Sequence, residues 1–171
     1  AVISMKWLFL QGGNNTEKGL FIGGIDGLSY EQAGGWRRYA TEKLINCGYG
    51  VLDPLRGKDP DYVNNPALYT PNEIVVRDKY DILKSDLLLV EYTNPTRNYA
   101  GTSMEIMFAY EHHKPIVIWS EHAQRNYWLQ YHATIILPTL DECLDYIVAF
   151  WSTTPRINSG ACNGGSKVTV D

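Results

Sequence analysis

Cysteine is scarce in this chain of 171 residues, with Cys47, Cys143 and Cys162 as its three representatives. Their spacing fits no zinc motif and their number is odd, so neither a disulfide framework nor a cysteine metal site is expected. A reducing, cytoplasmic setting suits such usage. Long apolar runs are missing as well. No stretch approaches the roughly 20 apolar residues of a membrane span, so no membrane partner is expected. The short piece Trp7-Leu8-Phe9-Leu10 follows a single lysine and lacks the sequel of a cleaved signal. Basic runs are absent too. Fifteen Lys and Arg residues are scattered among 19 Asp and Glu, for a net charge of −4, which leaves no electrostatic footprint for a nucleic-acid polymer. A small-molecule substrate suits this balance better.

What remains is the composition of an ordinary globular domain. Hydrophobic residues make up 44% and charged residues 20%, which argues for a packed core and against disorder. Residues 1–18 read as an N-terminal extension, in which Met5 offers a natural start. Residues 152–171, rich in Ser, Thr, Gly and Asn, read as a flexible C-terminal tail. Between them, over residues 19–151, strands alternate with helices. The strands are Leu20–Ile22, Gly50–Leu52, Asp86–Glu91, Pro115–Trp119 and Thr134–Leu137. The helices cover Tyr30–Asn46, closed by Gly48, then Pro71–Lys84, Thr102–His113 and Leu140–Trp151. A long polar loop fills Leu55 to Thr70. This order predicts an α/β single domain, a flavodoxin-like or Rossmann-like three-layer sandwich with a five-stranded parallel sheet. In such sheets ligands bind beyond the carboxyl ends of the strands.

The residues just after each strand are therefore the candidates. Glu105 has two readings. Thr102-x-x-Glu105 matches a capping box, with Thr102 as N-cap and Glu105 in the first turn. There the helix dipole and backbone N–H groups would also hold the carboxylate ionised, as a nucleophile requires. Asp78 falls four residues from both Ile74 and Ile82, so it lies on the inward face of its helix, with Asp81 bordering the same face. An inward acid is either half of a buried ion pair or a group for acid–base work. The first turn, Gly23 to Ser29, is glycine-rich but matches no phosphate-binding fingerprint. It serves either as a tight turn or as a place where backbone approaches a sugar. Among Trp36, Tyr92, Tyr99 and Trp119, one or two are expected to stack on a base and the rest to pack. His112 and His113 sit late in a helix, where a surface role is expected.

Five segments together resemble the nucleoside 2-deoxyribosyltransferase family. They are Gly24-Ile25-Asp26-Gly27, Trp36-Arg37, Asp53-Pro54-Leu55-Arg56-Gly57, Arg77-Asp78-x-x-Asp81-Ile82-x-x-Ser85-Asp86 and Gly101-Thr102-Ser103-Met104-Glu105. The resemblance spans about Gly19 to Phe150. It implies an enzyme that cleaves the N-glycosidic bond of 2′-deoxynucleosides and passes the sugar to another nucleobase, without metal or organic cofactor. Glu105 would be the nucleophile that forms a deoxyribosyl ester, and Asp78 would handle the proton at the base. Substrate contacts would come from Gly23, Ile25 and Asp26 in the first turn, with Trp36 behind them. Asp53 and Asp81 would add polar contacts, and Tyr99, Gly101, Thr102 and Met104 would flank the nucleophile. The family also implies a homo-oligomer in which a neighbouring subunit completes the site. Phe21 stands where some members carry a tyrosine, and Tyr99 where some carry an aspartate. A related branch hydrolyses deoxynucleoside 5′-monophosphates. A non-catalytic nucleotide-binding module is the remaining reading.

Overall fold

The computed structural model describes residues 18–23, 28–57 and 69–151. Ile25 and Asp26, the greater part of the 55–70 loop and both terminal segments lie outside the described residues.

The elements run β1 (Lys18–Gly23), α1 (Tyr30–Asn46), β2 (Gly50–Leu52), α2 (Pro71–Lys84), β3 (Leu87–Glu91), α3 (Ala100–Glu111), β4 (Ile116–Trp119), α4 (Tyr127–His132), β5 (Ile135–Leu137) and α5 (Leu140–Trp151), with a 3-10 turn at Ala123–Arg125 before α4. All five strands pair in parallel, in the order β2-β1-β3-β4-β5. This is the expected five-stranded parallel α/β sandwich, in its flavodoxin-like order.

Strand side chains alternate between two cores, as the two-residue period of a strand requires. Leu20, Ile22, Leu88, Val90, Ile116 and Ile118 face α2, α3 and α4 through Ile82, Ile106, Ala109 and Leu129. Phe21, Leu87, Leu89 and Val117 face α1 and α5 through Ala40, Leu44, Cys143, Leu144 and Ile147. The chain adds β2 on one side of β1 and later strands on the other. With right-handed crossovers, that reversal puts α1 on the opposite face from α2 and α3.

Helix ends follow local chemistry. Ser29 and Gln32 form a capping box on α1, and Thr70 and Glu73 form another on α2, where Pro71 takes the first turn. Past α1, Gly48 adopts φ +87°, a conformation that glycine reaches without the clash a Cβ would bring. Two expectations are corrected here. β1 begins at Lys18, inside the expected extension. α3 begins at Ala100 and ends at Glu111, so His112 and His113 lie just beyond it. One element was not anticipated: α4 is a short turn of helix started by Asn126, whose side chain accepts from the N–H groups of Trp128 and Leu129. Among the described residues, no helix is long and apolar enough to cross a membrane.

Candidate active site

The strand order reverses between β1 and β3, whose last residues, Gly23 and Glu91, are register partners. A crevice is expected at such a switch point. A cavity of about 720 Å³ does open at this edge, between α2 and α3. Six of the residues picked from the sequence line it: Gly23, Asp78, Gly101, Thr102, Met104 and Glu105. They come from β1, α2 and α3, so the fold joins segments far apart in the chain.

Helical spacing explains the two acids. Ile74, Asp78 and Ile82 follow at i, i+4 and i+8 on α2, and all three line the cavity. One carboxylate oxygen of Asp78, Oδ1, is fully buried. On α3 the stripe Gly101, Glu105 and Phe108 faces the same space, with Met104 and Glu111 beside it. Glu105 is half-buried.

The capping-box reading of Glu105 is overturned. The N-cap of α3 is Tyr99, which makes no side-chain cap bond, and there is no acid in the first turn. Thr102 is a buried residue inside the helix. Glu105 is therefore a second-turn residue, beyond the reach of end-group N–H donors. The helix starts early because the loop before it is pinned. Glu91 is buried and accepts from the Thr93 N–H at 2.9 Å, from Arg97 Nη1 at 2.9 Å and from the Tyr99 hydroxyl at 2.9 Å. Asn98 Oδ1 then accepts from the Ala100 N–H at 3.0 Å, which turns the chain into α3.

Four of the sequence-picked residues are not brought to the cavity. Asp81, only 2% exposed, accepts from Arg56 Nη1 at 2.8 Å and Nη2 at 2.5 Å. That bond raises the Arg56 pKa further above its usual value. Asp53 Oδ1 accepts from the Leu55 N–H at 2.8 Å and fixes the turn after β2. Tyr99 is buried and stacks on Tyr92 with ring centroids 4.0 Å apart. Its hydroxyl pKa is raised, first by burial and then by the negative charge of Glu91. Trp36 packs between Phe21 and Trp119.

Several lining residues lie outside the motifs picked from the sequence. Lys79 sits beside Asp78, with Nζ 5.0 Å from the centre of the Phe108 ring, and Asn98, Phe108 and Glu111 complete the wall. Extending the stripe from Glu105 by three and six residues finds Phe108 and Glu111. Three carboxylates against one lysine make this lining acidic. Gly23 is also a steric requirement. A Cβ there would lie 3.0 Å from Glu91 Cβ and 3.2 Å from its Oε2, so β1 and β3 approach closely where the crevice begins. Among the described residues, no three His, Cys, Asp or Glu side chains group as a metal site would need.

The fold is shared with solved enzymes. The chain is similar to the 2-deoxyribosyltransferase of the psychrotolerant bacterium Bacillus psychrosaccharolyticus, over 75% of this chain and 91% of that one, with 15% identity and a TM-score of 0.56. It is also similar to the CMP N-glycosidase of Clostridium botulinum, over 78% of this chain and 99% of that one, with 17% identity and a TM-score of 0.54. At these identities the likeness shows a common fold. No family model matches the sequence, and no curated protein matches it.

Proposed function

We propose that this protein is an N-glycoside-cleaving enzyme, a nucleoside 2-deoxyribosyltransferase that acts through a covalent ester on Glu105. The observation that carries the reading is the meeting of Asp78 and Glu105 in one cavity at the sheet's switch point. The fold likeness to a 2-deoxyribosyltransferase and a CMP N-glycosidase supports it.

In the first step a Glu105 carboxylate oxygen attacks C1′ from the face opposite the base. The C1′–N bond breaks and its electron pair stays on the base nitrogen, which takes a proton from Asp78. The C1′ centre gains oxocarbenium character on the way, which the carboxylate stabilises before it bonds. In the second step a nitrogen lone pair of an acceptor base attacks C1′, the ester bond breaks, and the released proton returns to Asp78. Two displacements give net retention. Asp78 suits proton handling because part of its carboxyl is buried beside apolar Ile74 and Ile82.

The acidic lining favours an uncharged nucleoside over a nucleotide. The second reading, a deoxynucleoside 5′-monophosphate N-hydrolase, draws support from the likeness to the CMP N-glycosidase and from Lys79 in the wall. One assay separates them. Deoxyinosine with adenine should yield deoxyadenosine and hypoxanthine. Release of base from a monophosphate, with no transfer and no turnover of the free nucleoside, would establish the hydrolase instead. Nucleoside binding without any base release would leave a binding module.

We further propose a homo-oligomer. Val75 on α2 and Met104 and Met107 on α3 are exposed, Met104 by 71%, and all three line the cavity as an apolar rim. A second copy laid across it would exclude water from the ester.

A further inference from the structure

Arg37 is the largest fully buried side chain of the described residues, with 0% exposure. Its Nη1 donates to the Ala33 carbonyl, and its Nη2 donates to the Gly23 carbonyl at 3.2 Å. Its Nε is buried, makes no hydrogen bond, and lies 3.9 Å from Asp53 Oδ1. The guanidinium rests 4.6 Å from the centre of the Trp36 ring. Burying such a charge is costly, and an apolar side chain of similar volume packs at least as well. Packing alone therefore does not account for an arginine here.

Its position does. The guanidinium sits behind the switch point, bonded to the end of β1 and close to the turn that follows β2. Four charged groups act on it: Asp53 after β2, Glu91 at the end of β3, Glu105 on α3, and Arg97 in the loop between β3 and α3. The three carboxylates attract it and Arg97 repels it. Burial outweighs them and lowers its pKa, although an arginine stays charged at any working pH. Glu105 lies past the end-group donors of its helix, and Arg37 is a cation built into the fold that attracts it. Arg37 does not itself line the cavity.

We propose that Arg37 is a positioning residue for the reaction, one that holds the exit of β1 through the Gly23 carbonyl and supplies a buried positive charge that attracts Glu105. This rests on the reading of Glu105 as the nucleophile.

The test compares Arg37→Gln, which removes the charge, with Arg37→Lys, which keeps it but loses the forked grip on Gly23. Both are measured for melting temperature and for kcat and KM on a deoxynucleoside across pH, beside Glu105→Ala. For Arg37→Gln the acid limb of the kcat/KM profile should move to higher pH, with kcat at neutral pH down about tenfold or more. For Arg37→Lys the limb should stay in place while KM rises. Should only one variant fold, its own readout decides. A wild-type acid limb in Arg37→Gln, or wild-type KM in Arg37→Lys, would overturn the proposal. So would failure of both variants to fold, which would make Arg37 a stability residue. Full turnover by Glu105→Ala would instead overturn the nucleophile, so the two failures are distinguishable.

Discussion

Asp78 and Asp81 stand three residues apart on α2 and have opposite surroundings. Asp78 faces the cavity, while Asp81 is locked in a forked pair with Arg56. The sequence motif presents them as equals. Only the turn after β2 decides, because it delivers Arg56 to Asp81. Removing the Asp81 charge leaves part of that fork unsatisfied. Arg56 is partly exposed, so water recovers some of the loss. Asp81→Asn is expected to lower stability by about 1–3 kcal/mol, read from urea unfolding, while KM changes little. A raised KM at unchanged stability would return Asp81 to the substrate site.

At the scale of elements, local chemistry made most of the fold legible. Both ends of α1, α2 and α5 were readable, because Gly48, Pro71 and the apolar period mark them. β2 was bounded by its neighbouring turn residues. α3 was misplaced by two residues because Thr102-x-x-Glu105 imitates a cap. Its true start is set by Glu91 gripping Thr93, Arg97 and Tyr99, a tertiary pin with no local signature. α4 was missed because six residues are too few to show a period. The real cap on α2 carries a pH signature. Glu73 has a lowered pKa, first because the Thr70 backbone N–H donates to it and then because the Thr70 hydroxyl does. Its contribution is full above the ordinary glutamate pKa of 4.5 and is lost as pH falls through the lower folded value. Glu73→Gln should therefore lower the melting temperature at neutral pH, and the gap should close in acid. A gap that persists unchanged at low pH would contradict this.

At the scale of the molecule, the strand order β2-β1-β3-β4-β5 creates the site by reversing direction between β1 and β3. Glycine at 23 lets the two strand ends meet, and the α2 and α3 stripes bring the acids to the same crevice. The continuous apolar run of β3 made the two-sided sheet readable, since a strand covered on both faces is apolar along its length. The inward face of α2 was readable from Ile74 and Ile82. The role of Arg37 was not, since nothing in the local pattern around Trp36 and Arg37 distinguishes a buried cation from a solvated one. The apolar rim of α2 and α3 predicts self-association at micromolar concentration, measurable by light scattering. Met104→Lys should shift the mass toward one chain, and an unshifted monomer in the wild type would contradict the assembly. The central claim is that the cavity works through a carboxylate nucleophile on the second turn of α3. Steady-state turnover of a 2′-deoxynucleoside by Glu105→Ala tests it most directly. The account predicts a loss of at least about a thousandfold with the fold intact, and turnover equal to that of the unaltered protein would contradict it.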